Sequence, residues 1–89
     1  MAQNLASDPE GWMQDPMGEW SLHFHQDQLS WANNKYVFMD KGKSMNDGSP
    51  ALLKSRRHLP KRAARKIWNG LQAGGWKVVD PQWGLDLEP

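Results

Sequence analysis

Pro60-Lys-Arg-Ala-Ala-Arg-Lys-Ile-Trp-Asn-Gly-Leu-Gln-Ala73 is the stretch on which the fold turns. At 100° per residue, Pro60, Ala63, Ala64, Ile67, Trp68 and Leu71 fall within an arc of about 140°, and Lys61, Arg62, Arg65, Lys66, Asn69 and Gln72 take the opposite side. That pattern is an amphipathic helix with one face to bury. Pro60 suits the first helical position, where its missing N–H costs nothing, and Gly74-Gly75 supplies a stop of the C′ type. Lys61, Arg62, Arg65 and Lys66 crowd the N-terminal half, where the helix dipole disfavours cations. A nearby anion would relieve this, whether from a ligand or from the chain's own acidic N-terminal segment.

Strands are read on both sides of this helix. Residues 19–25 alternate cleanly, with Trp20, Leu22 and Phe24 pointing one way and Ser21, His23 and His25 the other, as in a half-buried strand. Residues 26–34 are polar and form a loop. Residues 35–40 are rich in β-formers and make a second strand. The run from Lys41 to Pro50 has turn chemistry, strongest at Asn46-Asp47-Gly48. Residues 51–56 follow as a third strand, with Ala51 and Leu53 toward the core and Lys54 and Arg56 facing out. After the helix, residues 76–80 form a last strand closed by Pro81. Near the N-terminus, Asp8-Pro-Glu-Gly11-Trp12 is echoed by Asp15-Pro-Met-Gly18-Glu-Trp20, two successive turns that each deliver a tryptophan into or beside a strand.

The reading is an α+β domain: a small antiparallel sheet of three to four strands in the order β-β-β-α-β, with the amphipathic helix packed on one face. Residues 1–10 are expected to be a disordered tail, 11–83 a single domain and 84–89 an acidic C-terminal tail. At 89 residues the chain builds one core. Most of the six tryptophans are expected to help build that core, each ring covering about 150–250 Å². If any tryptophan is exposed, it is expected to be Trp12, Trp31 or Trp83, which sit in turn-rich surroundings.

Composition excludes several classes of function. Without cysteine there are no disulfides, thiolate metal sites or cysteine nucleophiles. No apolar run approaches the ~18 residues of a membrane span, and the first residues lack the pattern of a signal peptide, so a cytoplasmic protein is expected. No Gly-rich phosphate loop and no nucleophile elbow are present, so the chain reads as a non-enzyme with no cofactor. His58, whose charged form is disfavoured among cations, could be a neutral base, with Asp40 or Asp47 to orient it. His23 and His25 project from the same face of their strand, with Asp27 next in register. Zinc takes three or four protein ligands, no second half of such a site is recognisable, and no metal site is assigned.

Charge is the feature left to carry function. The formal net charge of +1 conceals −5 over residues 1–34, +9 over 35–77 and −3 over 78–89. Lys54, Arg56, Arg57, Lys61, Arg62, Arg65 and Lys66 lie within thirteen residues that contain no acid. Such a surface is a solvated face, a partner for the chain's own acidic ends, or a dock for an anionic protein or nucleic acid. The pI of about 8.1 is below that of most nucleic-acid-binding domains.

Pro50-Ala-Leu-Leu-Lys-Ser-Arg-Arg-His-Leu-Pro60, the short helix ending in Trp68, Gly75-Trp76-Lys-Val-Val-Asp-Pro-Gln-Trp83 and the upstream Trp20-x-Leu-x-Phe24-His25 make a pattern over residues 11–83. The whole resembles a family of small proteins of unknown function from marine unicellular cyanobacteria. The resemblance implies a single-domain cytoplasmic protein and transfers no catalytic residues. The function expected is a non-enzymatic binding or regulatory module that docks an anionic protein through the basic face; the alternative is a small nucleic-acid-binding protein using the same face.

Overall fold

The alternation over residues 19–25 becomes the central strand of a five-stranded antiparallel sheet in the computed structural model, which describes residues 9–29, 35–43 and 52–84. Along the chain come β1 (Gly11–Gln14), β2 (Trp20–Gln26), β3 (Tyr36–Lys43), β4 (Leu52–Pro60), α1 (Lys61–Ala73) and β5 (Lys77–Val79). The class is α+β as expected, but the order is β-β-β-β-α-β and the sheet has one strand more. That strand is β1, from the stretch read as turns. The second of those turns is present. The Gly18 N–H donates to the Asp15 carbonyl at 3.0 Å, and the Asp15 carboxylate accepts from the N–H groups of Glu19 and Trp20 at 2.7 and 3.2 Å. It folds β1 back on β2 with Met13 opposite Leu22. The first echo starts at Asp8, and the Asn46-Asp47-Gly48 turn and Trp31 also lie outside the described residues.

The strands lie in the order β4-β3-β2-β1-β5, each antiparallel to its neighbour. β4 and β5 therefore run in the same direction at opposite edges, and joining parallel strands demands a crossover. α1 is that crossover. Its 13 residues reach about 20 Å, matching the roughly 19 Å of four strand spacings. The Lys61 N–H donates to the carbonyl of Lys35 at one corner of the sheet, and Trp68 lies over Gly11 and Phe24 near the other side. Pro60 ends β4 and caps α1 in extended backbone (ψ 146°), one position earlier than a first helical residue. At the far end Gly75 takes φ +99°, the Gly75 N–H donates to Gln72 and the Trp76 N–H to Leu71. This is the Schellman closure that the Gly74-Gly75 pair foretells.

The core lies between sheet and helix: Met13, Leu22, Phe24, Val37, Met39, Leu59 and Ala64, with Ala63, Ile67, Trp68, Leu71 and Trp76 packed around them. Every residue expected on the apolar helix face after Pro60 is there. Phe24 is fully buried and meets Trp68 edge-on, with ring centres 5.0 Å apart. Such a pair contributes about 0.5–1.5 kcal/mol beyond its buried area.

Trp12 and Trp83, two of the three tryptophans named as the ones to be exposed if any is, are only 8% and 7% exposed. They meet edge-on at 4.5 Å on the side of the sheet away from the helix, where the chain returns after β5. Gly42 in β3 makes room for this return. A Cβ there would stand 2.7 Å from Cζ3 of Trp83, closer than carbon atoms pack. Gly42→Ala should therefore displace the Trp83 ring and cost about 1–3 kcal/mol, as overpacking does. Chemical denaturation followed by tryptophan fluorescence checks this, with a red-shifted native spectrum expected.

Candidate functional site

Pairing across the sheet aligns four residues on the face opposite the helix. Trp12 of β1 is paired with His23 of β2, His23 with Asp40 of β3, and Asp40 with Arg56 of β4. The next row on that face is His25, Phe38 and His58. A polar alternation on β2, β3 and β4 thus places three histidines, an aspartate and an arginine side by side.

Asp40 is the centre, with no solvent exposure. Arg56 grips it with both prongs, Nε to Oδ1 at 2.6 Å and Nη2 to Oδ2 at 2.8 Å. The His25 Nε2–H donates to Oδ2 at 2.7 Å. The Arg56 guanidinium also lies 4.2 Å over the Phe38 ring, which supports it from below. Burial pushes the Asp40 carboxyl up; the hydrogen bonds from Arg56 and His25, helped by their charges, outweigh this and hold it below the usual aspartate value.

Around this group the rings pack on one another. His23 stacks on Trp12 at 3.9 Å and on His25 at 4.4 Å, and Phe38 stacks on His58 at 4.7 Å. Tyr36 lies against the same His58 ring at 4.7 Å. His58 is tied to Asp27 at 2.9 Å and not to Asp40. Asp40 is taken by Arg56, and Asp47 lies outside the described residues.

His23, His25 and Asp40 place one donor atom each within 4.8 Å of one another, so the third member of a ligand set beside the two histidines is Asp40 rather than Asp27. The donor types suit a divalent ion. The charges do not. Both Asp40 oxygens already accept from Arg56, and a divalent ion beside that guanidinium would leave the buried row with surplus positive charge. The arrangement is an ion pair with an attached histidine.

The expected basic face is divided by the pleat of β4. Arg56 points away from the helix and into the Asp40 row, so it leaves the proposed surface. Arg57 is exposed on the helix side, in line with buried Leu59. Arg62 and Lys66 are exposed on α1, Lys61 is half-buried, and Arg65 is half-buried with its Nε shielded from solvent. The side chain of Lys54 lies outside what is described. Two cations were missed by the sequence reading, which treated residue 41 onward as a turn. Lys41 and Lys43 extend β3, exposed on the helix side, their ammonium groups 4.4 and 5.7 Å from the Trp20 ring centre. Their alternation with Met39 and Val37 is the signal that could have found them.

An antiparallel sheet crossed by one helix, with a buried charged row on one face and cations on the other, defines a small α+β protein. No helix among the described residues is long and apolar enough to cross a membrane. The chain belongs to the family described as "Protein of unknown function (DUF1651)", whose model matches residues 10–83. Neither the curated proteins nor the solved structures give a match.

Asp40→Asn removes the counter-charge of a guanidinium with only 23% side-chain exposure. The expected loss at neutral pH is about 3 kcal/mol, the lower end of values for breaking a buried pair, because Arg56 keeps some solvent. A carboxyl whose folded pKa is lowered stabilises fully above its unfolded value of about 4, and that contribution is lost as pH falls through the folded value. Denaturation midpoints measured from pH 7 to pH 2 should show an acid loss in the natural protein that the Asn variant lacks.

Proposed function

We propose that this protein is a non-enzymatic docking module that binds an acidic protein partner through the cationic surface on the helix side of its sheet. The observation that carries the reading is a separation of charge by face. On β3, β4 and α1 the residues Lys41, Lys43, Arg57, Lys61, Arg62, Arg65 and Lys66 lie on the helix side or on the helix itself, whereas the one carboxylate of these three elements, Asp40, is buried on the opposite face. The first turn of α1 has no acidic residue, and no side chain caps it. An incoming carboxylate would meet both the cations and the positive end of the helix dipole. A cytoplasmic setting in a unicellular cyanobacterium fits the resemblance of residues 11–83 and the lack of cysteine.

Nucleic acid is the second reading, and Trp20 flanked by Lys41 and Lys43 is the observation that favours it, since stacking platforms combine aromatic rings with cations. The other aromatic face does not add to it: Trp12, His23, His25, Phe38 and His58 spend their ring faces on one another. The acidic protein therefore stands first.

Arg62→Glu combined with Lys66→Glu tests the reading, both positions being exposed on α1. Binding of polyglutamate and of single-stranded DNA, each followed by fluorescence anisotropy at low and moderate salt, should show the polyglutamate bound. The double variant should bind it more than about tenfold more weakly, equivalent to roughly 1.4 kcal/mol, with an unchanged unfolding midpoint. DNA bound while polyglutamate is ignored would replace the first reading by the second.

A further inference from the structure

β4 is an edge strand of nine residues. Its inner side pairs with β3, and among the described residues no strand pairs with its outer side. A long edge is a template for another extended segment. The usable part of this one is bounded. The register shifts between Lys41 and Gly42, leaving Lys54 as the extra residue of a bulge, which twists the strand away at that end. At the other end Pro60 has no N–H to offer. Between these limits, residues 55–59 face β3 in regular register.

The side chains of that stretch select what can lie beside it. Arg57 is exposed on the helix side, and Arg62 is exposed on the helix that begins where β4 ends. No acidic residue occurs between Leu52 and Ala73. A second copy of β4 is thereby disfavoured, because antiparallel pairing would set cations against cations. An acidic strand would find the reverse: backbone groups to pair with and opposite charge on the flank.

We infer that the outer edge of β4 accepts an extended acidic segment of the partner as a sixth strand. This rests on the docking reading and supplies its mode: main-chain hydrogen bonds hold the segment, and Arg57 and Arg62 choose its charge.

The experiment compares three peptides against the full chain labelled with nitrogen-15. One alternates glutamate with valine, one alternates lysine with valine, and one is the glutamate peptide N-methylated along its backbone, which keeps the charge and removes the strand donors. The glutamate peptide should bind and slow amide hydrogen exchange within residues 55–59. The lysine peptide should not bind. Because two lost hydrogen bonds of about 1 kcal/mol each correspond to more than tenfold, the N-methylated peptide should bind at least about tenfold more weakly. Equal binding of the methylated and unmethylated glutamate peptides, or shifts confined to α1, would overturn strand addition and leave charge-driven docking intact. Failure of every glutamate peptide to bind would overturn both. Arg57→Glu, at an exposed position, should weaken the glutamate peptide and admit the lysine peptide; an unchanged preference also overturns the edge site.

Discussion

The pair between Asp40 and Arg56 is the constraint on which the arrangement of this sheet depends. A carboxylate with no solvent in the middle of five strands is tolerable only if its oxygens are satisfied and its charge matched. Arg56 does both through two parallel hydrogen bonds, and His25 takes the remaining direction. The pair also reports the register of β4 against β3. Sliding β4 by one residue would send Arg56 to the helix side, put His58 into the apolar core and expose Leu59 on the other face. Apolar and ionic preferences thus select the same pairing, which is the agreement between levels that makes a fold unique.

The helix and the central strand were legible because their signals are local. The 100° stripe from Ala63 to Leu71, the Gly74-Gly75 stop and the alternation of Trp20, Leu22 and Phe24 each need only neighbouring residues to be understood. The charged row was not legible for the opposite reason. Asp40 looks like the polar end of a strand until β4 is laid beside it and Arg56 arrives from a separate element. Trp12 and Trp83 sit in turn-like sequence, and their burial comes from one another and from the gap left by Gly42. β1 was hidden because its four residues lie between two Asp-Pro motifs that read as turns and acquire strand geometry only by pairing with β2 and β5. Arg56 and Arg57 show the limit most plainly: adjacent in sequence and alike in chemistry, they are sent by the pleat to opposite faces with opposite roles.

On β3, β4 and α1 the charge is therefore segregated by face as well as by position. Of the acids in residues 1–34, Asp27 is engaged with His58 on the side away from the helix, and Asp15 is engaged with its own turn. Arg56, conversely, is spent on Asp40. The helix side carries cations from three elements, at positions set by backbone geometry and not by a flexible run of basic residues.

The crossover explains why Arg57, Lys61 and Arg62 gather where β4 ends. A helix long enough to carry the chain from β4 to β5 has to begin at β4, so its N-terminal turn stands beside the edge strand. Lys61 and Arg62 occupy that turn against the helix dipole, and Arg57 precedes it on β4. For stability alone, acidic residues would serve the first turn better, and a shorter edge strand would guard against aggregation at lower cost. The sequence instead keeps a regular strand edge, flanks it with arginine and leaves the helix start without an acid or a side-chain cap. Each of these three choices is unfavourable in the isolated chain, and all three would be relieved by the event proposed above, an extended segment bearing carboxylates laid along β4.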